Sequence, residues 1–251
     1  MKVLYLVVFL LAVSCTNSPS RKASNSSINV CQYSKWLKIS ESKEAVLIQI
    51  QNPDDTAKLY SIRLPNFKSN ITSGTYDFQE PVQRLACLSS THIGMLSELG
   101  LQHHIVAVSN LKYLYDKQLK SAQLIELGEE QGIDVEKVIK SKAEIIMYSA
   151  FSSSFAKEKV LKKVGVYCIP NFDWREIHPL GRAEWILLYG YLTGNQEKAK
   201  IKFKEICQNY DGIKTRTDTY KSIRTLSGNI TGDFWYAPAG ESYHAQLLRD
   251  A

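Results

Sequence analysis

The chain lacks the motifs that would mark a familiar enzyme. Its 251 residues contain no P-loop, no HExxH pair and no GxSxG elbow, so the backbone nests and nucleophile–base pairs those chemistries need have no recognisable seat. One SxxK spacing, Ser154 to Lys157, falls in a stretch patterned as a helix and is expected by chance. Of the five histidines, His103 and His104 lie in a loop at the opposite sheet edge from the other candidates, and His92, His178 and His244 have no partner at metal-ligand spacing. A bare-metal site and a resident cofactor are therefore not expected, and neither is catalysis. The five cysteines form no CxxC pair and no disulfide framework. Cys87 and Cys168 sit inside apolar runs, where a thiol packs as a small hydrophobe, so Cys31, Cys87, Cys168 and Cys207 read as free thiols.

Clustered positive charge is lacking as well. Lys and Arg number 31 against 25 Asp and Glu, a net charge of +6, but the basic residues are spread along helix-patterned segments such as Lys157–Lys163 and Lys198–Lys204. That is how solvated helix faces read, and it argues against a nucleic-acid partner. The longest apolar run, Val3 to Val13 behind Lys2, is too short to span a bilayer as a mature helix and has the length of a signal-peptide core. Residues 1–14 are thus read as an export signal. The following Ala12-Val13-Ser14-Cys15 resembles a bacterial lipobox, with Ala12 where leucine is usual, which would make Cys15 the lipidated first residue of a membrane-anchored protein. The alternative is a plain cleaved signal followed by an unmodified cysteine. Residues 15–34, rich in Ser, Asn and basic residues towards their start, read as a flexible tether.

What the chain does contain is a change of period. Residues 35–80 read as a β extension, with strands Ala45–Ile50 and Leu59–Leu64 around the turn Asn52-Pro53-Asp54-Asp55. From Pro81 strands and helices alternate: strands 84–88, 105–108, 143–148 and 166–170, with helices 91–99, 134–141 and 154–164 between them. Ile93, Leu96 and Leu99 should face inward on the first helix, and Val135, Val138 and Ile139 on the second. This βαβα order implies a parallel sheet flanked by helices, an α/β lobe over 81–180. Linking helices over 181–215 follow, Leu180–Leu192 and one from Gln196 capped by Asn195. A strand over 222–227, an aromatic loop Gly232–Tyr236 and a helix from Ser242 would open a second lobe over 216–251. A strand and a helix cannot bury a sheet of their own, so that lobe is expected to be incomplete here, with Leu247 and Leu248 exposed.

In an open parallel sheet, ligands bind beyond the carboxyl ends of the strands. The loops there are Ser89-Ser90-Thr91-His92, Ser109-Asn110, Ser149-Ala150-Phe151 and Asn171-Phe172-Asp173-Trp174. Hydroxyls, a helix N-terminus and exposed rings suit a ligand with anionic or amide groups and apolar faces. The competing reading is structural: Ser90 or Thr91 as a helix cap, Trp174 as a cover for the sheet.

The run Val82 to Leu96 closing in Leu99-Gly100, the strand Ile105–Ser109, the segment Val135–Ile146, Pro179–Trp185 and the stretch Trp235–Leu248 together resemble the iron-chelate and cobalamin-binding family of solute-binding proteins that serve ABC importers. Ala143-Glu144 departs from the family's usual Pro-Asp. The resemblance covers residues 81–251. It implies two Rossmann-like lobes joined by a long rigid helix, and no enzyme activity. It also implies a chelate (ferric siderophore, haem or cobalamin) held between the lobes by Ser89, Ser90, Thr91, His92, Trp174, Arg182, Trp235 and Tyr236, with His92 or His244 available as an axial ligand. Glu136, on a helix expected to lie away from those loops, would dock on an arginine of the permease, which works with its ATPase. The protein would then sit in the periplasm or cell envelope. A different reading of the same fold is an anchored chelate sensor or scavenger with no dedicated importer.

Overall fold

The computed structural model describes residues 27–43, 45–65, 76–151, 155–217, 219–221 and 223–251. The export signal and Cys15 lie outside them. Alternating apolar residues build the first sheet from β1 (Ile28–Asn29), β2 (Leu37–Glu41), β3 (Ala45–Gln51), β4 (Leu59–Pro65) and β5 (Tyr76–Asp77), in that spatial order. The register sets Ile39, Ile48 and Ile62 side by side, all three fully buried, because a strand turns every second side chain to one face. β3 and β4 are the expected pair. The expected hairpin extension is corrected to five strands, since β2 pairs with β3 and the two-residue β1 and β5 extend the edges. Strands that short carry no readable alternation.

The second sheet is parallel throughout. Along the chain come β6 (Leu85–Cys87), α1 (Ser90–Glu98), β7 (Ile105–Val108), α2 (Lys117–Lys120), β8 (Ile125–Glu126), α3 (Val135–Ser141), β9 (Ile145–Tyr148), α4 (Glu158–Lys163) and β10 (Tyr167–Pro170). Their spatial order is β10-β9-β6-β7-β8. The chain runs outward from β6 to β8, then crosses to the other side for β9 and β10. The order therefore reverses between β6 and β9, and the crevice over that reversal is where such sheets hold ligands. On α1, Leu96 and Leu99 are buried as expected, and Gly100, at φ +60°, closes the helix. The Leu101 and Gly100 N–H groups return to the Leu96 and Ser97 carbonyls, a Schellman ending that a left-handed glycine permits. Ile139, expected inward on α3, is half exposed, and Val138 alone of that trio is fully buried.

Beyond the sheet lie α5 (Pro179–Glu184), α6 (Ile186–Leu192) and α7 (Gln196–Thr217). The single helix expected over 180–192 is broken at Trp185, which ends α5 and starts α6. Its indole is fully buried and donates to Glu176. Asn195 receives the Ala199 N–H on its carbonyl, while its side-chain amide donates back to Thr193. α6 and α7 approach closely at Gly190, where an added Cβ would come 2.3 Å from that of Ala199.

The strand expected over 222–227 is not formed: residues 223–227 are irregular. The aromatic loop after it is instead half of a hairpin, β11 (Asn229–Thr231) paired with β12 (Phe234–Tyr236) around Gly232 at φ +61°. The last helix is α8 (Tyr243–Asp250), tied to α7 by Asp250, which accepts from Tyr210 and Lys214. Leu247 and Leu248 are exposed.

Both sheets share one hydrophobic core, and polar contacts sew them together. Tyr76 donates to the Cys168 carbonyl and packs edge-on against Tyr167, while Tyr191 and Lys200 both donate to Glu41. The strongest tie is a carboxylate clamp. Glu184 accepts the backbone N–H groups of Gln32, Tyr33 and Ser34 at 2.7–2.9 Å. Glu176 accepts those of Lys35 and Trp36 and the Ser34 hydroxyl. Both carboxylates are buried, and five consecutive donors offset the cost of removing them from water. Residues 28–34, read from composition as the end of a tether, are thus held against the lobe.

Candidate functional site

The site is built at the carboxyl ends of β6, β7, β9 and β10. After β6, Ser89 caps α1: its hydroxyl accepts from the Thr91 N–H and lies 2.9 Å from the Thr91 hydroxyl. A serine here satisfies a helix-end donor that would otherwise be unpaired. Ser89 and Thr91 are half-buried and Ser90 is exposed. Ser89, Ser90, Ser109, Asn110, Tyr113 and Glu129 border a cleft of about 250 Å³ whose floor includes Cys87 and Leu88. The Cys87 thiol is pushed far above its usual range by burial and is not available as a thiolate. All four thiols outside Cys15 are free.

Across the reversal of strand order, the loop after β9 carries the rings. Phe151 is 70% exposed, and its ring centroid lies 5.0 Å from that of Trp174. Trp174 is fixed in place: its Nε1 donates to the Ser149 carbonyl at 2.7 Å, and the Arg175 guanidinium lies over its ring at 5.2 Å. Arg175 in turn pairs with Asp54 from the β3–β4 turn, so the N-terminal sheet borders the site. An aromatic pair that is half open and held from behind offers flat apolar area with little rotamer freedom to lose.

The same loop has an unusual backbone. Ala150 takes φ +52°, a region that disfavours a Cβ. Beside it the Ser149 N–H donates to the Glu130 carboxylate at 2.7 Å. Partial burial raises the Glu130 pKa, and the nearby backbone N–H groups offset only part of the desolvation.

Among the anticipated contact residues, His92 requires correction. It sits on the inner face of α1, fully buried, with its ring 6.4 Å from that of Tyr189. A side chain with no exposed surface touches no ligand in the cleft, and neither ring nitrogen has a partner at hydrogen-bond geometry. Burial pushes its pKa down to about 3, so the ring is a neutral core element. The 3.6-residue period assigned Ile93 inward, where it packs partly buried against the core, and the structure turns His92 inward as well. His244 is exposed and lies 2.7 Å from the Ser227 hydroxyl through Nε2.

Arg182, on α5, lies over the Tyr243 ring at 5.0 Å and brings its Nε within 3.9 Å of the buried Asp173 carboxylate. It links the loop after β10 to α8. Trp235 and Tyr236 are both exposed on the hairpin, where the Trp235 indole packs over Gly228. Glu136 is exposed in the first turn of α3, whose cap Asp134 accepts the Glu136 N–H and itself donates to Leu127 at the end of β8. That helix therefore starts at the carboxyl edge. The expectation that Glu136 lies away from the ligand loops is corrected, because a helix returning to the next parallel strand must begin where the previous strand ends.

Glu130, Glu176 and Glu184 were not singled out by sequence reasoning. Nothing local marks them, since a carboxylate that binds distant backbone has no partner within its own element. Among the described residues no group of three or more His, Cys, Asp or Glu is placed to hold a metal ion, and no helix is long and apolar enough to cross a membrane.

Comparison with known proteins agrees with this architecture. Residues 85–251 match the family described as periplasmic binding protein. An uncharacterized lipoprotein of Methanocaldococcus jannaschii is 22% identical over 179 residues, 67% of this chain and 43% of the relative. The chain thus spans less than half the length of that relative. Among solved structures, a periplasmic binding protein from Veillonella parvula superposes with a TM-score of 0.60 at 11% identity, over 81% of this chain and 63% of the other. A possible iron-binding, periplasmic solute-binding protein from Staphylococcus epidermidis gives 0.56 at 19% identity, over 68% and 66%. These likenesses establish the fold.

Proposed function

The chain belongs to the periplasmic binding protein family, and on that premise we propose that it captures a metal chelate (a ferric siderophore, haem or cobalamin) and delivers it to the permease of an ABC importer. The observation that carries this reading is the Phe151–Trp174 pair on one side of the reversal of strand order and the hydroxyl-lined cleft at the ends of β6 and β7 on the other. Flat rings and hydroxyls together suit a bulky ligand with apolar faces and polar edges. The iron-binding description of the Staphylococcus epidermidis protein points to the same ligand class. In this reading Ser89, Ser90, Thr91 and Trp174 contact the ligand, Arg182, Trp235 and Tyr236 close over it from the far side, and Glu136 docks on the permease. Glu136 then stands on the same edge as the ligand loops, so release and docking occupy adjoining surfaces. Lipidation at Cys15 would keep the protein at the membrane, in the periplasm or cell envelope.

Titration with hemin, a ferric hydroxamate and cyanocobalamin, followed by tryptophan fluorescence, tests the proposal. One of the three should quench the emission, and Trp174→Ala should weaken its binding by about 1–3 kcal/mol, the scale of a buried aromatic contact. Failure of all three to bind, or unchanged affinity in Trp174→Ala, would remove the chelate reading.

A further inference from the structure

We infer that the N-terminal sheet is a functional part of the aromatic shelf: Asp54, in the turn between β3 and β4, holds the Arg175 guanidinium over the Trp174 indole and so sets the plane on which a ligand lies. Asp54 and Arg175 are positioning residues that act through the ring. The inference rests on the proposed chelate-binding reading. It adds to that reading an element outside residues 85–251, the part of the chain that matches the family.

Three observations carry it. The first is a continuous line of contacts. Asp54 Oδ1 accepts from an Arg175 side-chain nitrogen at 2.7 Å, and the guanidinium lies 5.2 Å from the centre of the Trp174 ring. A cation over an indole is attracted to the ring's negative face, so the tilt of the ring follows the guanidinium. The bond from Trp174 Nε1 to the Ser149 carbonyl fixes one edge of the indole, and the stacked guanidinium supplies a second restraint. The second observation is the turn that carries Asp54. The buried Asn52 accepts the Asp54 and Asp55 N–H groups on its side-chain oxygen at 2.8 and 3.1 Å. Gln51 donates to the Thr56 and Lys58 carbonyls, and the Lys58 N–H returns to the Asp55 carbonyl. Asx bonding and the fixed φ of Pro53 leave the turn few alternatives, and the Asp54 carboxylate is presented from a braced frame. The third is the other end of the pair. Arg175 closes the short 3-10 turn Asp173–Arg175, and its carbonyl accepts the Trp36 indole N–H at 3.3 Å. The backbone beneath the guanidinium is thus tied to the same sheet that supplies Asp54.

Both partners of the ion pair are partly open to solvent, Asp54 at 57% and Arg175 at 35%, and such a pair adds little to global stability. Its loss is therefore felt locally at Trp174, which separates positioning from general destabilisation. The test labels the full chain with 5-fluorotryptophan, giving one fluorine resonance for each of the four tryptophans, with the Trp174 line assigned by Trp174→Phe. In Asp54→Ala the Trp174 line should shift while that of the buried Trp185 stays. Affinity for whichever of hemin, the ferric hydroxamate and cyanocobalamin binds the wild type should fall about two- to fivefold, the scale of an exposed cation–ring contact. Arg175→Ala should do the same, and the double variant should lose no more than Arg175→Ala alone, because Asp54 acts through Arg175. An unmoved Trp174 line in Asp54→Ala, wild-type affinity in that variant, or additive losses in the double variant would overturn the inference. The two proposals fail separately. All three chelates inert, with the Trp174 line moved by Asp54→Ala, removes the chelate reading and leaves the positioning pair. Chelate binding with an unmoved line does the reverse.

Discussion

Asp173 shows how a single residue carries the tension between folding and the site. Its carboxylate is 2% exposed, one oxygen has no hydrogen-bond partner, and the nearest cation, Arg182 Nε, is 3.9 Å away. Burial raises its pKa, with Arg182 and the Trp174 N–H pulling the other way. A carboxyl with a raised folded pKa is protonated in both folded and unfolded chains below about pH 3.8, where it costs nothing. As pH climbs through the folded value, the folded protein must ionise a buried group, and stability is lost. Asp173→Asn removes that charge while keeping an acceptor for the Trp174 N–H. The variant should melt above the wild type at pH 7, and the difference should vanish near pH 4. Thermal melts at the two pH values measure it, and an Asn variant less stable at pH 7 would mean that the Arg182 interaction outweighs desolvation.

At the scale of elements, α6 packs closely on α7. Gly190 admits Ala199 because it has no Cβ, and an added one would sit 2.3 Å from the Ala199 methyl and 3.1 Å from the Asn195 carbonyl oxygen. Neither neighbour can swing away, since one is a side chain of a single carbon and the other is backbone. Gly190→Ala should therefore spread the two helices and cost about 1–3 kcal/mol, the usual price of overpacking, despite alanine's better helix propensity. Urea unfolding reads the loss. Gly94, on the exposed face of α1, has nothing within 4 Å, so Gly94→Ala is the control and should be neutral or stabilising.

For the whole molecule, the question is whether the N-terminal sheet is an appendage or part of one cooperative unit. The shared core and the clamp of Glu176 and Glu184 on residues 32–36 make it one unit. Glu184→Ala strands three backbone donors in a buried position. Each buried unsatisfied group costs about 1–3 kcal/mol, and partial rehydration should hold the total to about 3 kcal/mol. The midpoint of urea unfolding should fall while the transition stays single, with fluorescence and far-ultraviolet circular dichroism still coincident. Separate transitions in the variant would show that the sheet folds on its own and that the clamp is only a tether.

The amino-acid sequence alone determined the elements whose side chains answer to a local period. The alternation in β3 and β4, the βαβα order from Pro81, the glycine stop after α1 and the aspartate cap of α3 are nearest-neighbour facts, and the loops at the carboxyl edge follow from them. The free thiols were equally legible, because an apolar run around Cys87 and Cys168 leaves a cysteine little to do but pack. Tertiary structure decided whatever depends on partners far along the chain. It turned His92 as well as Ile93 towards the core, broke the helix at Trp185 to bury an indole against Glu176, and placed Glu136 on the ligand edge. It also set Glu184 on backbone donors some 150 residues away and folded Glu130 onto the Ser149 amide. A carboxylate looks alike in sequence whether it faces water or a distant turn of backbone, and only the folded chain brings the donors that distinguish the two.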